Sequence, residues 1–343
     1  MTKSKTTISD VARAAGVSKG LVSFALNDRP GVAADTRERI LKIAADLGWV
    51  PSMRARALST DRAYALGLVI ARDPAIIAGD PFFPAFISGL EQVLAPIGQS
   101  LVLSMVADES AERASYERLA ENGRVDGVVL TDLRQNDPRL ALISDLGLHA
   151  VTLGFPDVES PFGVISLDDA PGIQSVVAHL ADLGHSRIAH VAGASSWLHG
   201  KRRRDSFAAA LRERGLIETL IVETDFSAAD GARATAELLA LDVPPTAIVF
   251  ANDPMAVAGL GVAQRAGLRV PDELSITGFD GSDVAEYMYP SLTTVSTSVT
   301  DWGRAAATLL LTAISGDDVV NVDLEPGQLV IRESTAAPLE NNP

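Results

Sequence analysis

Apolar positions in the first fifty residues recur at helical spacing. Ile8, Val11, Ala12 and Ala15 predict one amphipathic helix, opened by Thr7 with Asp10 three residues later and closed by Gly16. Ser18 can cap a second helix through "VSKGLVSFALN", whose apolar stripe is Val22, Ala25 and Leu26, extended by Leu21. At about 100° per residue, Gly20, Ser23, Phe24 and Asn27 point the other way, so a glycine and a phenylalanine face outward without an evident partner. After the turn "DRPG", Ile40, Ile43, Ala44 and Leu47 carry a third helix over about 35–47. Two helices joined by a tight glycine-containing turn, with a third behind, describe a helix-turn-helix headpiece over residues 1–50.

The texture then changes twice. "GWVPSMRARALSTDRAYA" contains Pro51, a capping Ser52 and a helix-capable run of about two turns, so residues 51–62 are expected to be a linker whose order depends on what it touches. From Ala65 onward, β-rich runs alternate with amphipathic helices: "ALGLVI", "LVLSMV", "VDGVVL", "AVTLG", "RIAHVAG", "LIVE", "AIVFAND" and "LSITGFD". This alternation predicts an α/β fold with parallel sheets covered by helices on both faces. Residues 63–343 are too many for one such lobe, so two similar lobes with a ligand cleft at the strand ends are expected.

Charge changes the picture at one end. The 343 residues carry a net charge of −15, which alone argues against nucleic acid. Residues 1–62, however, hold eleven Lys or Arg and six Asp or Glu, a net +5, which leaves −20 on the rest. There is no cysteine, which excludes disulfides, thiol nucleophiles and cysteine-ligated zinc. The polar start "MTKSKTTISD" has no apolar signal segment, and no apolar run has the roughly 18 residues a membrane span needs; a cytoplasmic location is expected.

Candidate chemistry is mostly excluded. His179, His185 and His190 are spaced by six and five, which fits neither one helix face nor a familiar metal site; they read as structural. In "GASSWLHGKR" six residues separate Gly193 from Gly200, and Arg202 stands where a phosphate loop needs Ser or Thr. No nucleophile elbow, no dinucleotide fingerprint and no acid/base pair with a nucleophile is present, so neither an enzyme, a cofactor nor a metal is expected.

Seven segments, in order along the chain, carry a resemblance: "TISDVARAAGVSKGLVSFALN", "TRERILKIAADLGWVPSMRARAL", "DPFF", "LADLGHSRIAHVAG", "RRRDSFAAAL", "VFANDPMAVAGL" and "LSITGFDGSD". Together they are similar to the LacI family of bacterial repressors. The resemblance implies a DNA-reading headpiece, a hinge helix, and a core like periplasmic sugar-binding proteins that binds a small effector. It also implies a homodimer on a near-palindromic double-stranded operator. No leucine heptad follows "QLVIREST", so a tetramer is not expected. Three crossings between lobes are expected near residues 165, 293 and 322. They give an N-lobe of 63–165 and 293–322 and a C-lobe of 166–292 and 323–338.

Family members read bases from positions matching Lys19, Gly20, Ser23 and Phe24. The last usually carries arginine, which takes guanine O6 and N7 in two hydrogen bonds; phenylalanine offers only apolar contact, for example to a thymine methyl. The alternative is that Phe24 folds back onto the headpiece core. Phosphate contacts are expected from Thr7, Ser18, Asn27, Thr36 and Arg37. In the hinge, Leu58 matches a leucine wedged into the minor groove, Ala55 lets two hinge helices approach, and Arg54 and Arg56 meet phosphates.

In the cleft, Arg203 and Asp280 match a family arginine and the aspartate facing it, a pair suited to adjacent hydroxyls. Phe82, Phe83, Trp197 and Phe226 are candidate flat walls, Asn252 and Asp253 a polar rim, and Asp168 a residue near a lobe crossing. Lys201, Arg202 and Arg204 read as a solvated charge run, and Asn252 can equally cap the helix that follows it. Gly154 stands where sugar binders of the family often have an aspartate, and "ARDPAIIAGDPFF" carries extra residues. A sugar that releases a repressor is the preferred reading, a nucleobase or nucleoside corepressor the second, and a solute-binding receptor without a DNA role a distant third.

Overall fold

The computed structural model describes residues 6–26, 29–49, 60, 62–216 and 220–339. The chain divides into two compact units, residues 1–62 and 63–343.

The first unit contains α1 (Ile8–Ala15), α2 (Lys19–Leu26) and α3 (Ala34–Asp46). The Asp10 carboxylate accepts from the Thr7 N–H at 3.0 Å and from its hydroxyl at 2.7 Å, which fixes the start of α1. Gly16 ends α1 at φ 65°, a left-handed conformation that glycine adopts without strain. The apolar stripes meet in one small core of Val11, Ala15, Val22, Ala25, Ile40 and Ala44. The hinge residues Arg54, Ala55, Arg56 and Leu58, and Asn27, lie outside the described residues.

The second unit holds two six-stranded sheets. In chain order its strands are β1 (Ala65–Ala71), β2 (Ser100–Val106), β3 (Gly127–Leu130), β4 (His149–Leu153), β5 (Gly163–Leu167), β6 (Ile188–Ala192), β7 (Ile221–Glu223), β8 (Ala247–Phe250), β9 (Ser275–Asp280), β10 (Thr293–Ser296), β11 (Val322–Leu324) and β12 (Gln328–Val330). The N-lobe sheet runs β11-β5-β4-β3-β1-β2 and is parallel throughout. The C-lobe sheet runs β12-β10-β9-β8-β6-β7, parallel except where β12 joins β10 antiparallel.

The central strands of each sheet are buried on both faces, which is why they read as unbroken apolar runs, whereas edge strand β2 leaves Leu103 and Met105 exposed. On β1, Leu66, Leu68 and Ile70 face one core while Ala65 and Val69 face the other. On β8, Ile248 and Phe250 face one core, Ala247 and Val249 its opposite.

The crossings follow β5, β10 and β11, at about residues 168, 297 and 325, three or four residues beyond the expected positions. The expected lobe bounds therefore need correction: they cut β5 and β11 and put β10 in the N-lobe, whereas it pairs with β9 of the C-lobe. Each short strand completes its own ladder before the chain changes lobe.

One helix pair fixes the N-lobe wall of the cleft. The helices Phe82–Leu94 and Val299–Ser315 cross through glycines; a Cβ on Gly89 would lie 2.1 Å from the Thr300 carbonyl oxygen, and one on Gly303 2.2 Å from that of Phe86. This close approach brings Phe82 and Trp302 together, edge to face, with ring centroids 5.7 Å apart.

Candidate functional site

In the headpiece, Lys19 and Gly20 are exposed at the start of α2, and a Cβ on Gly20 would meet only the Ser18 hydroxyl at 3.8 Å. Ser23 is half-buried. Phe24 is 42% exposed and lies outside the headpiece core, so it does not fold back; the Arg29 guanidinium stands 5.9 Å from its ring centroid. The Ser18 hydroxyl caps α2 by accepting the Leu21 N–H at 3.2 Å. Thr36 and Arg37 are half-buried, and Arg37 donates to the Arg29 carbonyl at 2.8 Å. That bond holds the turn between α2 and α3 and occupies part of the guanidinium expected to meet phosphate.

In the second unit, a cavity of about 310 Å³ lies between the lobes, at the C-terminal ends of β1, β3, β4, β5 and β9. Such ends leave room for ligands where connections diverge. Two arginine–carboxylate clusters face it from opposite walls. On the C-lobe side, Arg203 donates to Asp169 at 2.8 Å and to the Ala251 carbonyl at 2.7 Å, stands 3.5 Å from Asp280, and lies 3.8 Å from the Phe279 ring centroid. Burial, and then the carboxylates of Asp253, Asp80 and Asp169, hold the Asp280 carboxyl well above its ordinary range, against the pull of Arg203. Asp169 keeps one oxygen, Oδ1, buried without a hydrogen-bond partner.

On the N-lobe side, Arg72 forms a two-pronged pair with Asp132, at 2.7 and 2.6 Å, and reaches Asp80 at 3.2 Å. Against the penalty of burial, Arg72 pulls the Asp132 carboxyl below its ordinary range, whereas burial leaves that of Asp80 raised. Burial, followed by the charges of Arg203, Arg72 and Arg202, pushes the His199 imidazole down to about 3 despite Asp132, so the ring is neutral near pH 7. The apolar part of the lining includes Phe82, Leu153, Ile165, Leu198, Phe226 and Trp302, and Thr131, Asp168, Arg202, Asp205, Ser206 and Asn252 add further polar groups.

The sequence-predicted residues divide accordingly. Phe82, Asp168, Arg203, Phe226, Asn252 and Asp280 line the cavity. Phe226 sits at φ 70°, its ring on the backbone of Gly193, where a Cβ would come within 1.8 Å. Asn252 both caps the following helix, accepting the Met255 N–H at 3.0 Å, and donates to the Phe226 carbonyl at 3.0 Å. Phe83 is a correction: it is 1% exposed and packs into the N-lobe core, because neighbours on one helix point about 100° apart. Trp197 is another: it does not line the cavity, since Arg72 lies over its ring at 4.4 Å and Phe226 stacks on it at 5.6 Å. Asp253 is fully buried, holding Thr294 and the Ser282 N–H at 2.6 Å each, and forms no rim. Arg202 is exposed, as the solvated reading has it, but it also borders the cavity and donates to the Phe155 carbonyl beside Gly154. Arg72, Asp80, Asp132, Asp169, His199 and Trp302 were not singled out, although Asp80 opens "DPFF" and Arg72 and Asp132 stand in the charged "ARDP" and "TDLRQND" at strand ends.

Comparison with known proteins agrees with this layout. Residues 7–52 match the model of the bacterial regulatory proteins of the lacI family, and residues 177–335 that of a periplasmic binding protein-like domain. The chain is 32% identical over 339 residues to the HTH-type transcriptional regulator CelR of Thermobifida fusca, covering 96% of this chain and 98% of that one. It is 31% identical over 344 residues to the HTH-type transcriptional repressor CytR of Escherichia coli, covering 96% of each. Among solved structures, the lac repressor dimer bound to operator and the anti-inducer ONPF matches with a TM-score of 0.83 at 27% identity, over 97% of this chain and 100% of that one. A CelR–cellobiose complex matches with a TM-score of 0.72 at 31% identity, over 96% and 100%.

Proposed function

The chain belongs to the LacI family of bacterial regulatory proteins, and we propose that it is a cytoplasmic, dimeric repressor of a carbohydrate-utilisation operon, released from its operator by a neutral sugar in the core cavity. One observation carries the ligand class: two arginine-paired carboxylate clusters, Asp132 with Asp80 and Asp169 with Asp280, oppose each other across about 310 Å³. Carboxylates that already have cations need no charged ligand; what they still take is hydroxyl donors, and Asp169 Oδ1 keeps an unused acceptor. Phe82, Phe226 and Trp302 supply apolar faces for the C–H side of a sugar ring. The cavity lies near the lower end of the range for ligand sites, about 300–1,000 Å³, which suits one or two sugar rings. The solved CelR complex with cellobiose supports a saccharide.

At the other end, Lys19, Gly20, Ser23 and Phe24 present the face of α2 that would enter the major groove, with Thr7, Ser18, Thr36 and Arg37 around it for phosphates; Asn27, outside the described residues, is proposed as a further phosphate contact. Arg54, Ala55, Arg56 and Leu58 would order against the minor groove. The relatives are transcriptional regulators, and we read this chain as one without catalytic activity.

Thermal melting of the full chain against neutral mono- and disaccharides and against purine nucleosides tests the ligand class. A cognate saccharide at a hundred times its Kd contributes about 2.7 kcal/mol and is expected to raise the melting temperature by about 5 °C or more. A shift from nucleosides with none from any saccharide would replace the sugar by a nucleobase.

A further inference from the structure

Besides the three chain crossings, the lobes reach into each other, most deeply through Leu198 of the C-lobe and Arg72 of the N-lobe. Leu198 begins the Leu198–Glu213 helix of the C-lobe, yet its side chain is 5% exposed and packed into the N-lobe core with Leu133, Leu140 and Tyr116. In the other direction, Arg72 of the N-lobe lies over C-lobe Trp197 and Phe226, 4.4 and 5.8 Å from their ring centroids.

Between these two contacts the backbones pair. Arg134 and Trp197 form an antiparallel bridge, the Leu198 N–H donates to the Leu133 carbonyl at 2.8 Å, and that of Gln135 to the Ser196 carbonyl at 3.4 Å. The Gln135 side chain adds a bond of 3.0 Å to the Ser195 carbonyl. The N-lobe half of this pairing is rigidly backed. Arg139, buried and paired with Glu112 at 2.9 Å, donates to the carbonyls of Thr131 and Asp132 at 2.9 Å each, and Arg134 meets Glu112 at 2.7 Å.

We propose that the pairing of Leu133–Gln135 with Ser195–Leu198, with Leu198 seated in the N-lobe core, is a latch that holds the cleft shut and sets effector affinity through the population of the closed state. Leu133, Leu198 and His199 also line the cavity, so whatever fills it bears directly on the latch. A ligand that touches both walls binds the closed form, and its apparent affinity falls in proportion as that form becomes less populated. Nothing in the latch depends on which ligand the cavity takes.

Hydrogen exchange on the full chain without effector tests it, because a latch opens locally while an ordinary core residue does not. In the wild type, the amides of Leu198 and Gln135 are expected to be protected. In Leu198→Ala, peptides covering 131–137 and 195–198 are expected to exchange about tenfold faster or more, while β1, β3, β6 and β8 keep their rates. Leu140→Ala removes an equal side chain from the same core but leaves the pairing intact, so 195–198 stays protected. Gln135→Ala, on an exposed residue that folding does not need, is expected to give a smaller acceleration confined to the same two segments. Unprotected Leu198 and Gln135 amides in the wild type would overturn the proposal. So would a Leu198→Ala profile indistinguishable from that of Leu140→Ala, or a Gln135→Ala profile identical to the wild type.

Discussion

Replacing Arg203 by methionine is expected to weaken effector binding by two to three orders of magnitude while leaving operator affinity unchanged. Arg203 is 5% exposed and joins four groups at once: Asp169, Asp280, the Ala251 carbonyl and the face of Phe279. Removing one partner of a buried ion pair costs about 3–5 kcal/mol, because the other is left charged and dry. Here the remaining carboxylates can escape part of that cost by taking protons. Asp280 is already held above its ordinary range by burial and neighbouring carboxylates, so losing the Arg203 cation beside it pushes it further toward the neutral acid. A protonated carboxyl no longer accepts on both oxygens, and an acceptor for ligand hydroxyls disappears together with the arginine. Arg203→Lys keeps the charge but cannot span Asp169 and the Ala251 carbonyl together, and should fall between the two. Titration calorimetry with the saccharide found by melting decides the matter. Wild-type affinity in Arg203→Met would remove Arg203 from the site.

Base preference is expected to follow residue 24. Phe24 is exposed on α2, outside the headpiece core, and has no hydrogen bond to offer a base edge. The operator is therefore expected to carry a thymine methyl opposite it. Phe24→Arg should move the preference to guanine, by about tenfold to a hundredfold, since a two-pronged arginine–guanine contact is worth about 1–3 kcal/mol. Phe24→Ala should weaken the best operator and flatten the preference at that base pair alone. Binding of both variants to a panel of operators substituted at each position measures this. An unchanged preference in both would mean that Phe24 reads nothing.

Fold and site were not equally legible. The alternation of strands and helices was plain because strands buried on both faces must be apolar throughout, as β1 and β8 are. The exchange of β10, β11 and β12 between sheets was not; strands of three or four residues carry too little pattern to locate a crossing. In the cleft, Arg203 and Asp280 stood out because their motifs do. Arg72, by contrast, depends on Asp132, sixty residues away, and no local signal couples the two. The same arginine explains the error at Trp197, whose face was read as open to ligand and is covered from within the molecule. Phe82 and Phe83 looked equivalent in "DPFF", yet a helix allows only one of two neighbours to face the cavity.

The central claim is that a ligand in the acidic core governs the grip of a basic headpiece on DNA, and one titration tests it. The full chain is bound to an operator fragment at fixed salt, and the saccharide that stabilises the core is added to the wild type and to Arg203→Met while DNA occupancy is followed by mobility shift. The account predicts that the wild type is released, with operator affinity falling at least about tenfold, and that Arg203→Met stays bound at the same saccharide concentration. A wild type that binds both ligand and operator, yet keeps its DNA affinity when the cavity is saturated, would contradict it.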